Sequence, residues 1–431
     1  MSILRNLNTG ATGLSANADA LGVVADNIAN TNTIGFKRAR ANFEDLVASA
    51  GRSELNEIGA GSRVGNVQAM WKQGALLSTE AAMDLALQGE GFFMVNGTAQ
   101  GSSGNFYTRA GQFYLDKDGY IVNVDNLKMQ GYAADARGTI LGKLDDLRIS
   151  TTTLPATASS TANIGVNLDA NSPIIAAFDP ANPGTTSNYS SSVTVYDSLG
   201  NSHQITTYYT RTAIDTWAFN SVVDGSEVTG GVAGEPFLPA DGTGVMTFDA
   251  NGGLTAVNGV AVDDPAFAPV PSTWDFIGAI PGQSIGFTFL PDSTTSFASP
   301  STQNTITQDG FAAGNVTSLD ISATGVISGK FTNGQRRALG QVAVASFKAV
   351  DGLRRAGNGL WEQTDESGEP LLGAGSTGGR GAIVSGSLEQ SNVDIGREFV
   401  DLIAFQRGFQ ANSKIIQTSD EMYGELVNMK R

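Results

Sequence analysis

Few residues in this 431-residue chain are equipped for chemistry. Gly373-Ala374-Gly375-Ser376-Thr377-Gly378 has the G-x-G-x-x-G spacing of a dinucleotide loop. Such a loop needs a strand before it, a helix N-terminus after it to receive the pyrophosphate, and an acid further on. Here Pro370 precedes and Gly379-Arg380-Gly381 follows, so the spacing predicts a plain loop. Asp116-Lys117-Asp118-Gly119 has the opening of a calcium loop but lacks its third ligand and its closing glutamate, and predicts a hairpin turn. His203 is the sole histidine and so the sole histidine general base on offer. No G-x-S-x-G elbow supplies it with a nucleophile, and its place beside a turn predicts a surface or strand-edge position. Asp145-Asp146 and Asp263-Asp264 are the carboxylate pairs that two-acid glycoside hydrolysis would draw on. The aromatic content of 8%, with four tryptophans, offers little for stacking sugars. With no cysteine and one histidine, thiol nucleophiles, disulfides, Cys/His zinc sites and multi-histidine metal sites are excluded. The chain reads as a non-enzyme with no cofactor.

The elements around these residues explain more. Length predicts two to four domains, and 41% apolar residues suffice for real cores. Only 16% of residues are charged, and 26 bases against 42 acids leave a net −16, which argues against a nucleic-acid partner. No apolar run approaches the length of a membrane span, so no membrane insertion is expected. The N-terminal MSILRNLNTGATGLSANADA has no apolar signal-peptide core. The cysteine-free, Ser/Thr/Gly/Asn-rich composition is nevertheless that of many secreted bacterial surface proteins, so export would use another route.

Twelve of the thirteen prolines lie between Pro155 and Pro300. Residues 151–310 carry fourteen acids and one base, Arg211. Residues 1–50 and 391–431 contain no proline and are near neutral. Helix-compatible ends therefore flank an acidic, proline-punctuated middle. Within the ends, Leu7, Leu14, Leu21 and Ile28 recur every seven residues, and Leu4, Ala11, Ala18 and Ala25 form a second row. At the other end Ile395, Leu402, Phe409, Ile416 and Tyr423 repeat the spacing, broadened by Phe399, Phe405, Met422, Leu426 and Met429. These stripes predict two coiled-coil helices of roughly 45 and 55 Å. Gly10, Gly13, Gly22, Gly396, Gly408 and Gly424 interrupt them, each at a cost of about 1 kcal/mol. That cost predicts ends that are disordered in the monomer and order on assembly.

The interior reads as strands. Gln112–Leu115 and Tyr120–Asn123 flank Lys117-Asp118-Gly119; Val193–Asp197 and His203–Tyr209 flank Ser198-Leu199-Gly200-Asn201. Met246–Asp249 and Leu254–Val257 flank Asn251-Gly252-Gly253, and Leu319–Ile321, Val326-Ile327 and Lys330–Thr332 continue the series. Short strands joined by Gly/Asn turns predict an α+β multidomain chain, its terminal coiled-coil helices enclosing mainly antiparallel β domains of sandwich or barrel type. No fixed-period repeat is present.

Asp26-Asn27-Ile28-Ala29-Asn30-Thr31-Asn32-Thr33-Ile34-Gly35-Phe36-Lys37 resembles the signature of the flagellar rod and hook proteins. Its asparagines and Gly35 end the first helix and turn the chain outward. Leu388–Asp394 and Gln406-Arg407-Gly408-Phe409-Gln410-Ala411-Asn412-Ser413-Lys414 are similar to that family's closing helix. Gly89–Phe93 and Tyr107–Gly111 resemble its shared β domain; Val193–Gly200, Gln308–Gly314 and Leu339–Phe347 resemble the hook branch.

The resemblance implies a structural subunit that polymerises with itself into a curved helical tube, a universal joint between the basal-body rod and the filament. It implies an extracellular place in the hook and basal body. Export would proceed without a cleaved signal peptide, through the flagellar type III export apparatus. The implied partners are a distal rod protein, a hook cap protein and a hook–filament junction protein. Phe43-Glu44-Asp45-Leu46-Val47 is similar to an element proposed to contact the export gate through Phe43 and Val47; the same spacing also fits one turn of amphipathic helix. The implied domains are a coiled-coil core of 1–30 and 395–431 and connecting segments of 31–71 and 371–394. An inner β domain would take 72–165 and 308–370, and an outer one 166–307. The heptad residues would join subunits, while Asn6, Asn8, Asn17, Gln406 and Asn412 would line the channel or bridge copies. Two other readings are a distal rod or other axial protein, and a secreted carboxylate-dependent glycoside hydrolase.

Overall fold

The computed structural model describes residues 2–47, 59–135, 137–149 and 153–428. The chain is α+β, with one long helix at each end and a mostly antiparallel interior. It divides into two compact units: 1–151 with 317–330 and 336–431, and 152–316 with 331–335. The second unit thus begins and ends outside the expected 166–307. Strand Thr161–Asn167 is hydrogen-bonded on both sides, to Gln283–Phe289 and Thr302–Gln308, which draws it out of the expected inner domain. Among the described residues, no helix is long and apolar enough to cross a membrane.

In the first unit, helix α1 (Ser2–Ala29) leads into a two-stranded ribbon, β1 (Ala39–Val47) and β2 (Gly59–Ala69); helix α2 (Ile395–Asn428) closes the unit. Residues 39–47 and 59–69 of the expected connecting segment 31–71 therefore form a β-ribbon. The β body of the unit is organised by strand Phe92–Ala99, whose first four residues are buried on both faces. Phe93 and Val95 enter one core with Leu87, Phe106, Met129 and Val342; Phe92 and Met94 enter another with Tyr107, Leu353 and Trp361. Alternation along a strand sends neighbours to opposite faces, so one strand seeds two cores.

The second unit is a two-sheet sandwich. One sheet runs in the order Tyr189–Tyr196, Ser202–Ala213, Thr216–Asp224, Thr243–Phe248, Leu254–Val257 and Val260–Ala261. The other is Val270–Trp274, Gln283–Phe289, Thr161–Asn167 and Thr302–Gln308. Val195, Ile205, Tyr209, Trp217 and Phe219 share a core with Ile164, Val166, Trp274, Ile285 and Phe287. Among the described residues no closed barrel forms.

Several hairpin turns share one construction. Asp116, Asp135, Asp197 and Asp249 each accept on Oδ1 the N–H groups two and four residues ahead. The residue three ahead is a left-handed glycine: Gly119, Gly138, Gly200 or Gly252. Asn123 builds the same turn with Asn126 at φ 59° in the glycine's place. The N–H groups of Thr139 and Arg137 hold the Asp135 carboxyl below its ordinary value, and those of Gly253 and Asn251 do so for Asp249. A carboxyl depressed in the folded state lends stability that is complete above its unfolded value and lost as pH falls through the folded one. The thermal midpoint should therefore be flat from neutrality to about pH 5 and fall below that. An Asp135→Asn, Asp249→Asn chain keeps the acceptors without the charge and should show a shallower acid limb. Equal limbs would place the acid sensitivity elsewhere.

Candidate functional site

The two chain ends meet in an antiparallel helix pair. Gly10 of α1 lies against Ile415 and Ile416 of α2, Gly13 against Asn412, Asn17 against Gly408, and Asn27 against Glu398. Each step along α1 is matched by an equal step back along α2. A Cβ at Gly13 would sit 2.8 Å from Asn412 Oδ1, and one at Gly408 would sit 2.5 Å from Asn17 Oδ1. These glycines permit the close approach, so helix contact offsets part of their propensity cost. Gly22 and Gly424 face open space. The ends expected to be disordered in the monomer are thus ordered against each other within one chain.

The buried face of α1 is Gly10, Gly13, Ala16, Ala20, Val24 and Asn27, not the alanine heptad row. Ala11, Ala18 and Ala25 are exposed, while Leu7, Leu14, Leu21 and Ile28 flank the contact half-buried. A 3.6-residue helix drifts about 20° per seven residues. Small residues also take the positions nearest α2 and β2, where Gly61 abuts Thr9 and Thr12. Leu4 lies outside the residues whose side chains are described. On α2, Leu402, Phe409 and Ile416 are half-buried, whereas Ile395, Phe399 and Tyr423 are exposed. Asn17 and Asn412 belong to the helix crossing rather than to a free polar face; Asn6, Asn8 and Gln406 are exposed.

From the last turn of α1 onward a buried polar and charged network ties the ends together. Asn27 Nδ2 donates to Ala39 O (2.8 Å) and to Glu398 Oε2 (3.0 Å), and its Oδ1 accepts the Ala39 N–H at 2.8 Å. Arg38 bonds the other Glu398 oxygen and reaches Asp401 at 2.9 Å. Lys37 Nζ meets Glu389 Oε1 at 2.6 Å, Arg109 Nη1 meets Oε2 at 3.2 Å, and the Gly74 N–H donates to Oε1 at 2.9 Å. Lys37, Glu389 and Glu398 are buried almost completely. Burial pushes the Lys37 ammonium and the Arg109 guanidinium below their ordinary values, with Glu389 opposing in both cases. The clamp joins segment 27–39 to segment 389–401, across nearly the whole sequence.

The motif residues divide by position. Asn30 donates to Asp26 and accepts from Thr33 Oγ1. Gly35, at φ 71°, gives its N–H to Glu389 O at 2.7 Å. Phe36 lies under the Arg355 guanidinium. Gln406, Arg407 and Gln410 point outward, and Ser413 is half-buried. Phe43 and Val47 are on strand β1, not on a helical turn; both are exposed, and Phe43 stacks on Phe405 at 5.8 Å. Sequence reasoning missed Lys37, Arg38, Arg109, Glu389 and Glu398 as site residues. The available signal was a pair of cations directly after the Gly35 turn.

The chemical candidates do not converge. Gly373 ends the short strand Leu371–Gly373, and 374–379 turn without entering a helix, Arg380 Nε donating to Ala374 O. Asp145 and Asp146 are engaged by Lys143 and by Lys128, and the Asp264 carboxylate caps the N–H of Ala266. His203 is buried rather than on the surface, because Phe276 stacks on its ring at 3.8 Å and its nitrogens face Glu227 and Asp197. Among the described residues, no His/Cys/Asp/Glu cluster could hold a metal.

Four families match along the chain: Flagella basal body rod protein (7–37), Flagellar hook protein FlgE/F/G D1 domain (86–171), Flagellar basal body protein FlaE D2 domain (167–311) and Flagellar basal body rod FlgEFG protein C-terminal (384–429). Clamped helical ends around inserted β units, with these matches, define a structural protein of the flagellar axis. The chain is 33% identical to the flagellar hook protein FlgE of Borreliella burgdorferi, over 99% of this chain and all of that one. It is 31% identical to FlgE of Escherichia coli, over 97% and 98%. The crystal structure of Helicobacter pylori flagellar hook protein FlgE2 shares the fold at a TM-score of 0.52 and 17% identity, covering 73% of this chain and all of that one. The chain belongs to the flagellar hook protein FlgE family and is a structural subunit of the hook.

Proposed function

We propose that the chain polymerises through its paired ends into an open helical tube and does no catalysis. The observation that carries this reading is the outward face of the helix pair: Ala11, Ala18 and Ala25 on α1, and Ile395, Phe399 and Ile403 on α2, are exposed although the helices already pack together. A heterologous contact on that face builds an open helical polymer when its rotation does not close a ring. Ala18→Glu and Phe399→Asp should abolish tubes in negative-stain microscopy while far-UV circular dichroism of the monomer stays unchanged. Tubes of normal yield from both variants would overturn the assignment.

The acidic second unit supports a different role, adjusting stiffness rather than holding the tube together. Removing 153–316 and closing the gap with a short Gly/Ser linker should leave tubes that form but differ in rigidity or supercoil; loss of all tubes would place assembly in that unit. The distal rod, hook cap and hook–filament junction proteins are the proposed axial neighbours, and the type III export apparatus the proposed route outward. Phe43 and Val47 serve that route only in an unfolded chain, since β1 incorporates both when folded. Phe43→Ala with Val47→Ala should reduce secreted subunit several-fold without changing its cytoplasmic level. Unchanged secretion would remove the pair from the export reading.

A further inference from the structure

The first unit is closed by a segment from near the end of the chain. Strand Leu76–Ser78 pairs with Ser387–Glu389, and strand Leu85–Gln88 pairs with Ala382–Ser385, each as a two-stranded sheet of its own. Among the described residues neither early strand has another strand partner. The stitching continues around them. The Thr79 N–H donates to Gly386 O at 2.7 Å, the Gly381 N–H to Glu90 O at 2.6 Å and the Gln390 N–H to Ala75 O at 2.8 Å. Gly74 bonds Glu389 and Ala82 bonds Ser385, 315 and 303 positions away.

What this segment completes is core. Leu85, Ala86 and Leu87 are buried, and Ile383 joins Leu85, Leu87, Phe93 and Phe113 in one cluster. Buried Arg109 donates to Leu87 O and Gly89 O, and its carboxylate partner is Glu389 at 3.2 Å. Until 382–389 is in place, Leu85 and Leu87 lack their apolar cover and Arg109 lacks its counter-ion. Contacts this far apart in sequence also form late, because the entropy of closing the loop opposes them from the start. The second unit has no such dependence: both sheets of its sandwich are built from strands within 161–308.

We propose that residues 382–389 are a folding latch: a chain emerging N-terminus first folds its second unit while the first stays open, and the first closes only when this segment arrives. Domains fold as units during such emergence, so the order is set by where each unit's last partner lies in the sequence. In export, the latch keeps the early strands free of their final partners until the chain end clears the channel. That consequence rests on the export route proposed above; the folding order does not.

Synchronised cell-free synthesis of the full-length chain, with no export apparatus present, tests the order apart from the export reading. Samples receive brief thermolysin pulses, nascent chains are sorted by length, and protected peptides are read by mass spectrometry. Peptides from 189–224 are expected to gain protection while synthesis continues, and peptides from 85–109 only in completed chains. Protection of 85–109 in chains that end before residue 382 overturns the latch. Protection of both units together, only in completed chains, overturns the order. A variant tests the segment itself. The Ile383 N–H donates to Ala323 O, so alternation turns the Val384 N–H toward its partner Ala86. Val384 is half-buried and outside the core cluster. In completed Val384→Pro chains, protection of 85–109 should fall about tenfold while that of 189–224 is unchanged. Wild-type protection of 85–109, or an equal loss at 189–224, overturns the proposal.

Discussion

Glu389→Ala is expected to destabilise the first unit by about 3–5 kcal/mol, because it strands two buried cations at once. Lys37 and Arg109 are each almost fully enclosed and share this one carboxylate, which also accepts the Gly74 N–H. Burial already works against both charges, and Glu389 is the group opposing it. Its removal leaves the desolvation cost without the compensating attraction. Glu389→Gln retains acceptor oxygen but not charge and should fall between wild type and alanine. Each unit holds two tryptophans, Trp71 and Trp361 in the first, Trp217 and Trp274 in the second. Urea unfolding followed by fluorescence in a Trp217→Phe, Trp274→Phe background therefore reports the first unit alone. A shift under about 1 kcal/mol would show that the cations reach water or other acceptors once the carboxylate is gone.

Gly35→Ala is the second large effect, expected to cost about 4 kcal/mol through backbone strain and a steric clash together. At φ 71° an L side chain is unfavourable, and the added Cβ would lie 2.5 Å from Ala110 N and 2.6 Å from Arg109 C. Both are backbone atoms, so no rotamer change relieves the overlap. Displacement of Gly35 also loosens its N–H bond to Glu389 O and pulls on the clamp beside it. Gly22→Ala is the matched control, since nothing lies within 4 Å and the residue is helical. It should stabilise the monomer by up to ~1 kcal/mol. The same urea assay reads both, and equal effects at the two positions would refute the steric account.

The mutations separate two kinds of glycine that sequence treats alike. Gly10, Gly13 and Gly408 look like defects in amphipathic helices until the crossing of α1 and α2 places them where backbones approach closely. The heptad rows show the converse. Seven-residue spacing correctly announced two long helices at the ends, but not which row would face the partner. That choice depends on the β1–β2 ribbon and α2 competing for one side of α1, which leaves the alanine row outward.

Composition and local pattern by themselves determined the helical ends, the strand-rich acidic middle, the hairpin turns and the lack of thiol or multi-histidine chemistry, because each follows from residues close together in the chain. The motif around Asn27 to Lys37 also sufficed for the family resemblance. Only the tertiary structure decided that Lys37 and Arg109 would share Glu389, that Arg38 and Asn27 would share Glu398, and that His203 would be buried against Phe276. The charge pairings in the clamp join residues as far as 363 positions apart, where no periodicity carries information. They exist because burying an ion demands a partner, and only the folded chain brings that partner within reach.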